Sequence, residues 1–110
     1  MPRPKKPRCV TAPPLISAYG PQDAPSNGEI SLSVEELEAI RLSDFEGLDQ
    51  ERAAEMMEVS RQTYGRILAR ARSILAEAVV TGKTLTIGGG HYTMGRRRRR
   101  RFRGGRGDGS

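Results

Sequence analysis

Residues 50–69, QERAAEMMEVSRQTYGRILA, decide the fold because they carry the spacing of two helices joined by a tight turn. The first helix is predicted over Gln50–Met57 with Asp49 as its N-cap, and Ser60 is the N-cap of the second. A helix-turn-helix unit needs a small residue where its helices cross, and Ala54 supplies it. It also needs apolar residues that lock the two helices together. The residues at the required offsets are Met57, Val59, Tyr64 and Ile67.

The turn of this unit departs from the usual pattern at one position. Glu58 stands where such turns usually have a glycine in the left-handed conformation. A non-glycine residue there costs roughly 1 kcal/mol, which the motif tolerates. Apolar spacing alone would equally make a three-helix bundle without any nucleic-acid role. The DNA-binding interpretation is favoured because residues 60–76 contain four arginines and no acidic residue.

The second helix of the unit, residues 60–80, is predicted to lie in the major groove of DNA as a recognition helix. Its first turns present Arg61, Gln62 and Arg66 to base edges. Arginine can bond guanine O6 and N7 in a bidentate pair, and glutamine can bond adenine N6 and N7. The residues expected to contact the DNA backbone are Ser60, Thr63 and Arg70.

A further helix precedes the unit and begins at the capping box of Ser33 and Glu36. Its predicted apolar stripe, which ends before Gly47, comprises Val34, Leu37, Ile40 or Arg41, Leu42 and Phe45. The recognition helix continues to about Val80 and ends at Gly82. Its predicted inner face comprises Tyr64, Ile67, Leu68, Ala71, Leu75, Ala78 and Val79. Short strands are predicted at 8–10, 30–32 and 84–87.

The fold class is therefore mainly α: a three-helix helix-turn-helix domain at 30–90 with one or two short strands. An extended, basic, Pro-rich arm precedes it at 1–29, and a disordered Arg/Gly-rich tail follows at 91–110. Three bases of the arm are expected to contact the DNA backbone beside the recognition helix, unless the arm is simply a solvated terminus. These bases are Arg3, Lys5 and Lys6.

The tail has the charge density of a nucleic-acid contact without sequence preference, because arginine binds phosphate and stacks on bases. The arginines concerned are Arg96, Arg97, Arg98, Arg99, Arg100, Arg101, Arg103 and Arg106. Three other interpretations are a solubilising tail, an inessential terminal extension, and a segment that folds back on the acidic surface of residues 33–58. That stretch carries nine acidic and two basic residues.

Composition excludes several classes of protein. With 110 residues, 35% of them hydrophobic, the chain is too small for a large enzyme with a deep cofactor cleft. Cys9 and His91 lack neighbours at metal-ligand spacing, so neither a metal nor another cofactor is expected. The carboxylates Glu35, Glu36 and Glu38 suggest a solvated helix face rather than an active site. No apolar run is long enough to span a membrane, and a cytoplasmic, nucleoid-associated protein is expected.

Several stretches resemble the UPF0251 family, also called the DUF134 domain of predicted DNA-binding proteins, over about residues 1–92. The resemblance is carried by MPRPKKPRCV at 1–10, LEAIRL at 37–42, EGL at 46–48, AAEM at 53–56, VSRQT at 59–63, RIL at 66–68 and residues 82–89. The helix-turn-helix part is also similar to the sigma factor domain that reads the −35 promoter element. The resemblance implies a bacterial or archaeal cytoplasmic DNA-binding protein. The chain departs from the family at Glu58 and in its long tail.

The sequence thus predicts a sequence-specific DNA-binding protein that regulates transcription and is not an enzyme. Double-stranded DNA is the expected partner, and a second copy of the chain would add specificity to a single short recognition helix. One alternative is a nonspecific binder of nucleic acid, RNA included, that acts through the tail. The other is a protein-interaction module that uses the acidic 33–58 face.

Overall fold

The computed structural model describes residues 8–11 and 13–89, and the backbone of 92–94. The described chain is mostly helical, with three α-helices and several short strands. The strands are β1 (Arg8–Val10), β2 (Ala18–Tyr19), β3 (Glu29–Leu32), β4 (Thr84–Ile87) and β5 (Tyr92–Met94). The helices are α1 (Val34–Ile40), which a π-helical turn (Arg41–Phe45) continues, α2 (Gln50–Met57) and α3 (Arg61–Thr81). None of the described helices is long and apolar enough to cross a membrane.

The five strands form two small sheets. In the first, β4 lies between β3, to which it is parallel, and β2, to which it is antiparallel. In the second, β1 pairs with β5 in parallel, so that the start and the end of the described chain meet. The strands predicted at 8–10, 30–32 and 84–87 are confirmed, whereas β2 was not predicted. The backbone of β5 is a strand where the sequence suggested a disordered tail, and the rest of that tail lies outside the described residues.

All three helices begin at the predicted caps. The Ser33 hydroxyl accepts from the Glu36 amide at 3.2 Å, and the Glu36 carboxylate accepts from the Ser33 amide at 2.9 Å. The Asp49 carboxylate caps α2 by accepting from the Arg52 amide at 2.8 Å. The Ser60 hydroxyl caps α3 in the same way. These local bonds satisfy backbone donors that the first turn of a helix would otherwise leave unpaired.

Helix α3 connects two hydrophobic cores, because its first half packs in one core and its second half packs in the other. Its first half packs on α1 and α2, and that core contains Ala39, Leu42, Ala53, Ala54, Met57, Tyr64, Ile67 and Leu68. Its second half packs on β3 and β4, and that core contains Leu32, Ala71, Ile74, Ala78 and Leu85. The start of α3 therefore belongs to a helix whose far end packs on the three-stranded sheet.

The prediction that Phe45 and Val79 lie in the core is wrong, because both side chains are exposed. Phe45 is 81% exposed because the Glu46 amide bonds to the Arg41 carbonyl, five residues back, and this wider turn rotates Phe45 off the apolar stripe. Val79 is also 81% exposed, while Ile74, absent from the predicted face, is buried. The buried face of α3 follows positions 67, 71, 74 and 78, so Val79 lies at its margin.

The prediction that the carboxylates of α1 form a solvated helix face is also wrong. Glu38 is only 4% exposed and accepts hydrogen bonds from the Thr11 hydroxyl at 3.0 Å and from the Arg41 guanidinium at 2.9 Å. Glu36 belongs to the capping box, and Glu35 lies 3.8 Å from the Arg8 guanidinium. Glu35 and Glu38 fasten the segment around β1 to α1. A buried carboxylate such as that of Glu38 is tolerated only where it is paired or hydrogen-bonded.

Candidate nucleic-acid interface

The turn between α2 and α3 is built on one left-handed residue. Glu58 has φ 59° and ψ 44°, which is the conformation that the sequence predicted for this position. Its amide donates to the carbonyl groups of Ala54 and Glu55, and the Val59 amide donates to the Ala54 carbonyl at 3.1 Å. These bonds end α2 at Met57. After a break of three residues, the last of which is the N-cap Ser60, α3 begins.

Tyr64 locks α3 against α1 from inside the core. Its side chain is fully buried, and its hydroxyl donates to the Ala39 carbonyl at 2.9 Å. The same hydroxyl lies 2.5 Å from the Ser43 hydroxyl in the π-helical turn. Burial raises the pKa of Tyr64 above its ordinary value of 10.0. The neutral phenol therefore serves as a fixed link between the two helices.

The exposed start of α3 carries the three side chains predicted to contact bases. Arg61, Gln62 and Arg66 are all exposed. Among the described residues, none of the three side chains has an ion-pair or hydrogen-bond partner. Gln62 and Arg66 are four residues apart, so they lie on one face of the helix, one turn apart. Their polar ends are available to an external ligand.

The four arginines of α3 fall into two pairs with different surroundings. Arg61 and Arg66 have no acidic partner among the residues that the structure describes, whereas Arg70 lies 3.3 Å from the Glu36 carboxylate. Arg72 forms two hydrogen bonds with the Asp44 carboxylate, at 2.7 and 3.1 Å. These bonds lower the pKa of Asp44 below its ordinary value. The uncompensated positive charge of the helix is thus concentrated at its N-terminal end.

The residues predicted to contact the DNA backbone lie at two separate places on α3. Ser60 and Thr63 lie together at the N-terminus of α3, where the Ser60 hydroxyl donates to the Thr63 hydroxyl at 3.0 Å and caps the helix. Thr63 retains its hydroxyl proton for an external acceptor. Arg70 lies two turns further along the helix from Thr63, beside α1, and its side chain is 73% exposed despite its ion pair.

Two further residues lie near this end of α3. Arg8, one of the basic residues of the predicted arm, begins β1 and lines an open pocket of about 470 Å³ together with Val59, Ser60 and Thr63. Sequence reasoning missed Gln50, the first residue of α2, which approaches α3 at Gly65, where an added Cβ would lie 3.5 Å from its side-chain amide oxygen. Helix crossing brings Gln50 there, and no local pattern indicates it. Arg3, Lys5, Lys6 and the tail arginines lie outside the described residues.

The exposed surface of α2 carries negative charge, opposite to the positive charge at the start of α3. Glu51 and Glu55 are exposed, one turn apart, on the side of α2 away from the core residues Ala53, Ala54 and Met57. The domain therefore has a basic end at the start of α3 and an acidic face on the neighbouring helix. A ligand with many negative charges would be attracted to the first and repelled by the second.

Comparison with known proteins identifies relatives along most of the chain. The family model described as protein of unknown function DUF134 matches residues 1–95. A UPF0251 protein of Thermoanaerobacter pseudethanolicus is 49% identical over 86% of this chain and 81% of its own length. A UPF0251 protein of Thermoanaerobacter sp. strain X514 is 46% identical over 94% of both chains. No solved structure gives a significant match. On this evidence the chain belongs to the DUF134 family, whose curated members are named UPF0251 proteins.

Proposed function

We propose that this protein is a sequence-specific DNA-binding protein that regulates transcription and reads the major groove with the start of α3. The observation that carries the proposal is a set of three polar side chains, Arg61, Gln62 and Arg66, at the exposed end of an anchored helix, where no other described residue pairs with them. Arg70 and Arg72 form ion pairs with Glu36 and Asp44, whereas no acid in the described part of the chain pairs with the two arginines nearest the turn.

The anchoring of α3 supports direct reading of bases because specific contacts need a rigid frame. Tyr64 and the small residues Ala53 and Ala54, all buried, fix α3 against α1 and α2. The left-handed turn at Glu58 sets the angle between α2 and α3. With this frame in place, Arg61 and Arg66 would each recognise a guanine, and Gln62 an adenine.

Contacts with phosphate would hold the domain in register on the duplex. Ser60 and Thr63 offer hydroxyl groups beside the base-reading residues, and the positive end of the α3 dipole lies at the same place. Strand β1 brings Arg8 to this end of the helix, and the basic residues Arg3, Lys5 and Lys6 precede it in the sequence. The five-residue span from Arg8 back to Arg3 can reach at most about 17 Å.

One alternative has a specific observation in its favour. The exposed pair Glu51 and Glu55 on α2 would suit a basic protein partner better than DNA. In that case the helix-turn-helix unit would be an interaction module. A second alternative, nonspecific binding of nucleic acid through the Arg/Gly tail, rests on residues outside the described part of the chain.

Selection from random double-stranded DNA at near-physiological salt tests the proposal with the full-length protein. We expect an enriched motif. Gln62→Ala and Arg66→Ala should each lose roughly 1–3 kcal/mol of binding to it, with little change on a scrambled duplex. Arg52→Ala is the matched control for Arg66→Ala, because Arg52 is exposed on α2 and its substitution removes the same charge.

Other outcomes would contradict the proposal. Equal losses on the motif and on the scrambled duplex would contradict base reading by α3. Absence of any motif, with binding to all sequences that disappears when residues 96–106 are deleted, would assign the activity to the tail. Absence of any DNA binding would favour the interaction module.

A further inference from the structure

Gly65 is the only glycine inside a helix among the residues that the structure describes, and it is the fifth residue of α3. A glycine in the interior of a helix is less stable than an alanine, because it loses more conformational freedom on folding. Glycine is required where the backbone has a positive φ. The described glycines with a positive φ are Gly28, Gly47, Gly82 and Gly89, and Gly65 is not one of them. The backbone at Gly65 would therefore accept a side chain without strain.

The packing around Gly65 also leaves room for a side chain. Apart from its neighbours in the chain and the backbone of its own helix, the one described atom within 4 Å of an added Cβ is the Gln50 side-chain oxygen. The separation would be 3.5 Å, which is ordinary van der Waals contact. A Cβ added at Gly20, by contrast, would lie 3.0 Å from the Thr84 hydroxyl oxygen. Alanine would thus fit at position 65, and no described contact within the fold requires glycine there.

Gly65 lies among the side chains predicted to read bases. Residues three or four positions apart are neighbours on the surface of a helix. Arg61 and Gln62 are therefore one turn before Gly65, Ala69 is one turn after it, and all three are exposed. Arg66, also exposed, follows Gly65 directly. Long polar side chains thus border a position at which α3 presents only its backbone.

The dimensions of the major groove give such a position a physical role. An α-helix with its side chains is about 10–12 Å across, and the major groove of B-form DNA is about 12 Å wide. A helix therefore enters the groove with little clearance, and the side chains that face the bases limit how deeply it enters. Glycine allows a backbone to approach a ligand more closely than any other residue does. A glycine among base-reading side chains would let α3 lie closer to the base edges.

We propose that Gly65 is the point at which the backbone of α3 comes closest to DNA, with the edge of a base pair in the major groove lying against it. A side chain at this position would hold α3 away from the bases and weaken the contacts of Arg61, Gln62 and Arg66. Gly65 is then a specificity-determining residue that acts through its lack of a side chain. This inference rests on the proposed DNA-binding function and adds a residue to the same site.

Gly65→Ala in the full-length protein separates this role from a structural one, because it should change stability and DNA affinity in opposite directions. Thermal unfolding followed by circular dichroism should show Tm raised by about 2–8 °C, since alanine favours the helix. Affinity for the selected DNA motif, measured by fluorescence anisotropy at near-physiological salt, should fall at least about tenfold because the added methyl group overpacks the contact. Affinity for a scrambled duplex, which depends on phosphate contacts, should change less than about threefold.

Ala76→Ser is the matched control. Ala76 is exposed on nearly the same side of α3, about three turns and about 16 Å further from the turn than Gly65. The substitution adds one heavy atom there, as Gly65→Ala does at position 65. Ala76→Ser should bind the motif as tightly as the native protein. An equal loss of affinity in the two variants would overturn the proposal, because the effect would then not be specific to position 65.

The remaining outcomes separate this inference from the proposed function. If the native protein selects a motif and Gly65→Ala binds it equally well, DNA does not touch position 65, and the inference falls while the function stands. If Gly65→Ala lowers both Tm and affinity, the glycine serves the fold, and the inference again falls alone. If the native protein selects no motif, the proposed function fails and takes the inference with it.

Discussion

Removal of one hydroxyl group from the core tests whether α3 is positioned as described. Tyr64→Phe leaves the buried ring in place but removes the hydrogen bonds to the Ala39 carbonyl and the Ser43 hydroxyl. Each lost hydrogen bond costs about 1 kcal/mol, and partners left without a bond add to this. We therefore expect a loss of about 2 kcal/mol in the free energy of unfolding. For a domain of this size, that loss lowers Tm by roughly 8–16 °C.

Urea and thermal unfolding followed by circular dichroism would measure this loss. Tyr19→Phe is the control, because the Tyr19 side chain is exposed and makes no hydrogen bond with another described residue. It should change the unfolding free energy by less than about 0.5 kcal/mol. If Tyr64→Phe were no more destabilising than Tyr19→Phe, the hydroxyl would not be the link between α3 and α1.

The same variant predicts a dependence on alkaline pH. The folded-state pKa of Tyr64 is raised by burial, so its neutral form is favoured in the folded protein. The stabilisation this provides is complete below the unfolded pKa of about 10 and is lost as pH rises towards the folded value. The stability of the native protein should therefore fall more steeply above pH 10 than that of Tyr64→Phe. Parallel curves in this range would contradict the burial of a neutral phenol.

Two further predictions concern the ion pairs that surround α1. Glu38→Ala should lower the free energy of unfolding by about 2 kcal/mol in urea titrations, less than the 3–5 kcal/mol of a fully buried pair, because Arg41 is 33% exposed and keeps Glu46. Glu38→Gln should lose less, and a loss below about 0.5 kcal/mol for Glu38→Ala would show that this carboxylate is not structural. Asp44→Asn should cost under about 1 kcal/mol at pH 7, since the Asp44–Arg72 pair is largely exposed. Because the folded pKa of Asp44 is lowered, the difference from the native protein should shrink as pH falls below the unfolded value near 3.8, and a constant difference from pH 7 to pH 3 would contradict the pairing.

Much of the helical framework could be predicted because its signals are local. Ser33, Asp49 and Ser60 each cap a helix by bonding to an amide three residues later, a distance that any sequence window contains. Gly82 ends α3 in the left-handed conformation for an equally local reason. The left-handed conformation of Glu58 could be predicted too, because few backbone conformations allow so short a break between α2 and α3.

The errors arise where distant segments meet. Phe45 leaves the core because a π-helical turn follows α1, and the bond of Ser43 to the distant Tyr64 accompanies that turn. Glu38 is buried because the chain after β1 crosses α1 and brings Thr11 to it. Strand β2 has only two residues, too few to leave a periodic pattern.

Capping and helical periodicity act over a few residues. They were therefore enough to predict three capped helices, the short break between α2 and α3, and the polar side chains at the start of α3. Which of these charges remain available depends on how the helices pack. Glu36 and Asp44 compensate Arg70 and Arg72 across the helix packing, whereas no described acid reaches Arg61 or Arg66. Ion pairs of this kind form between segments far apart in sequence, so their partners are set by the fold and not by local spacing.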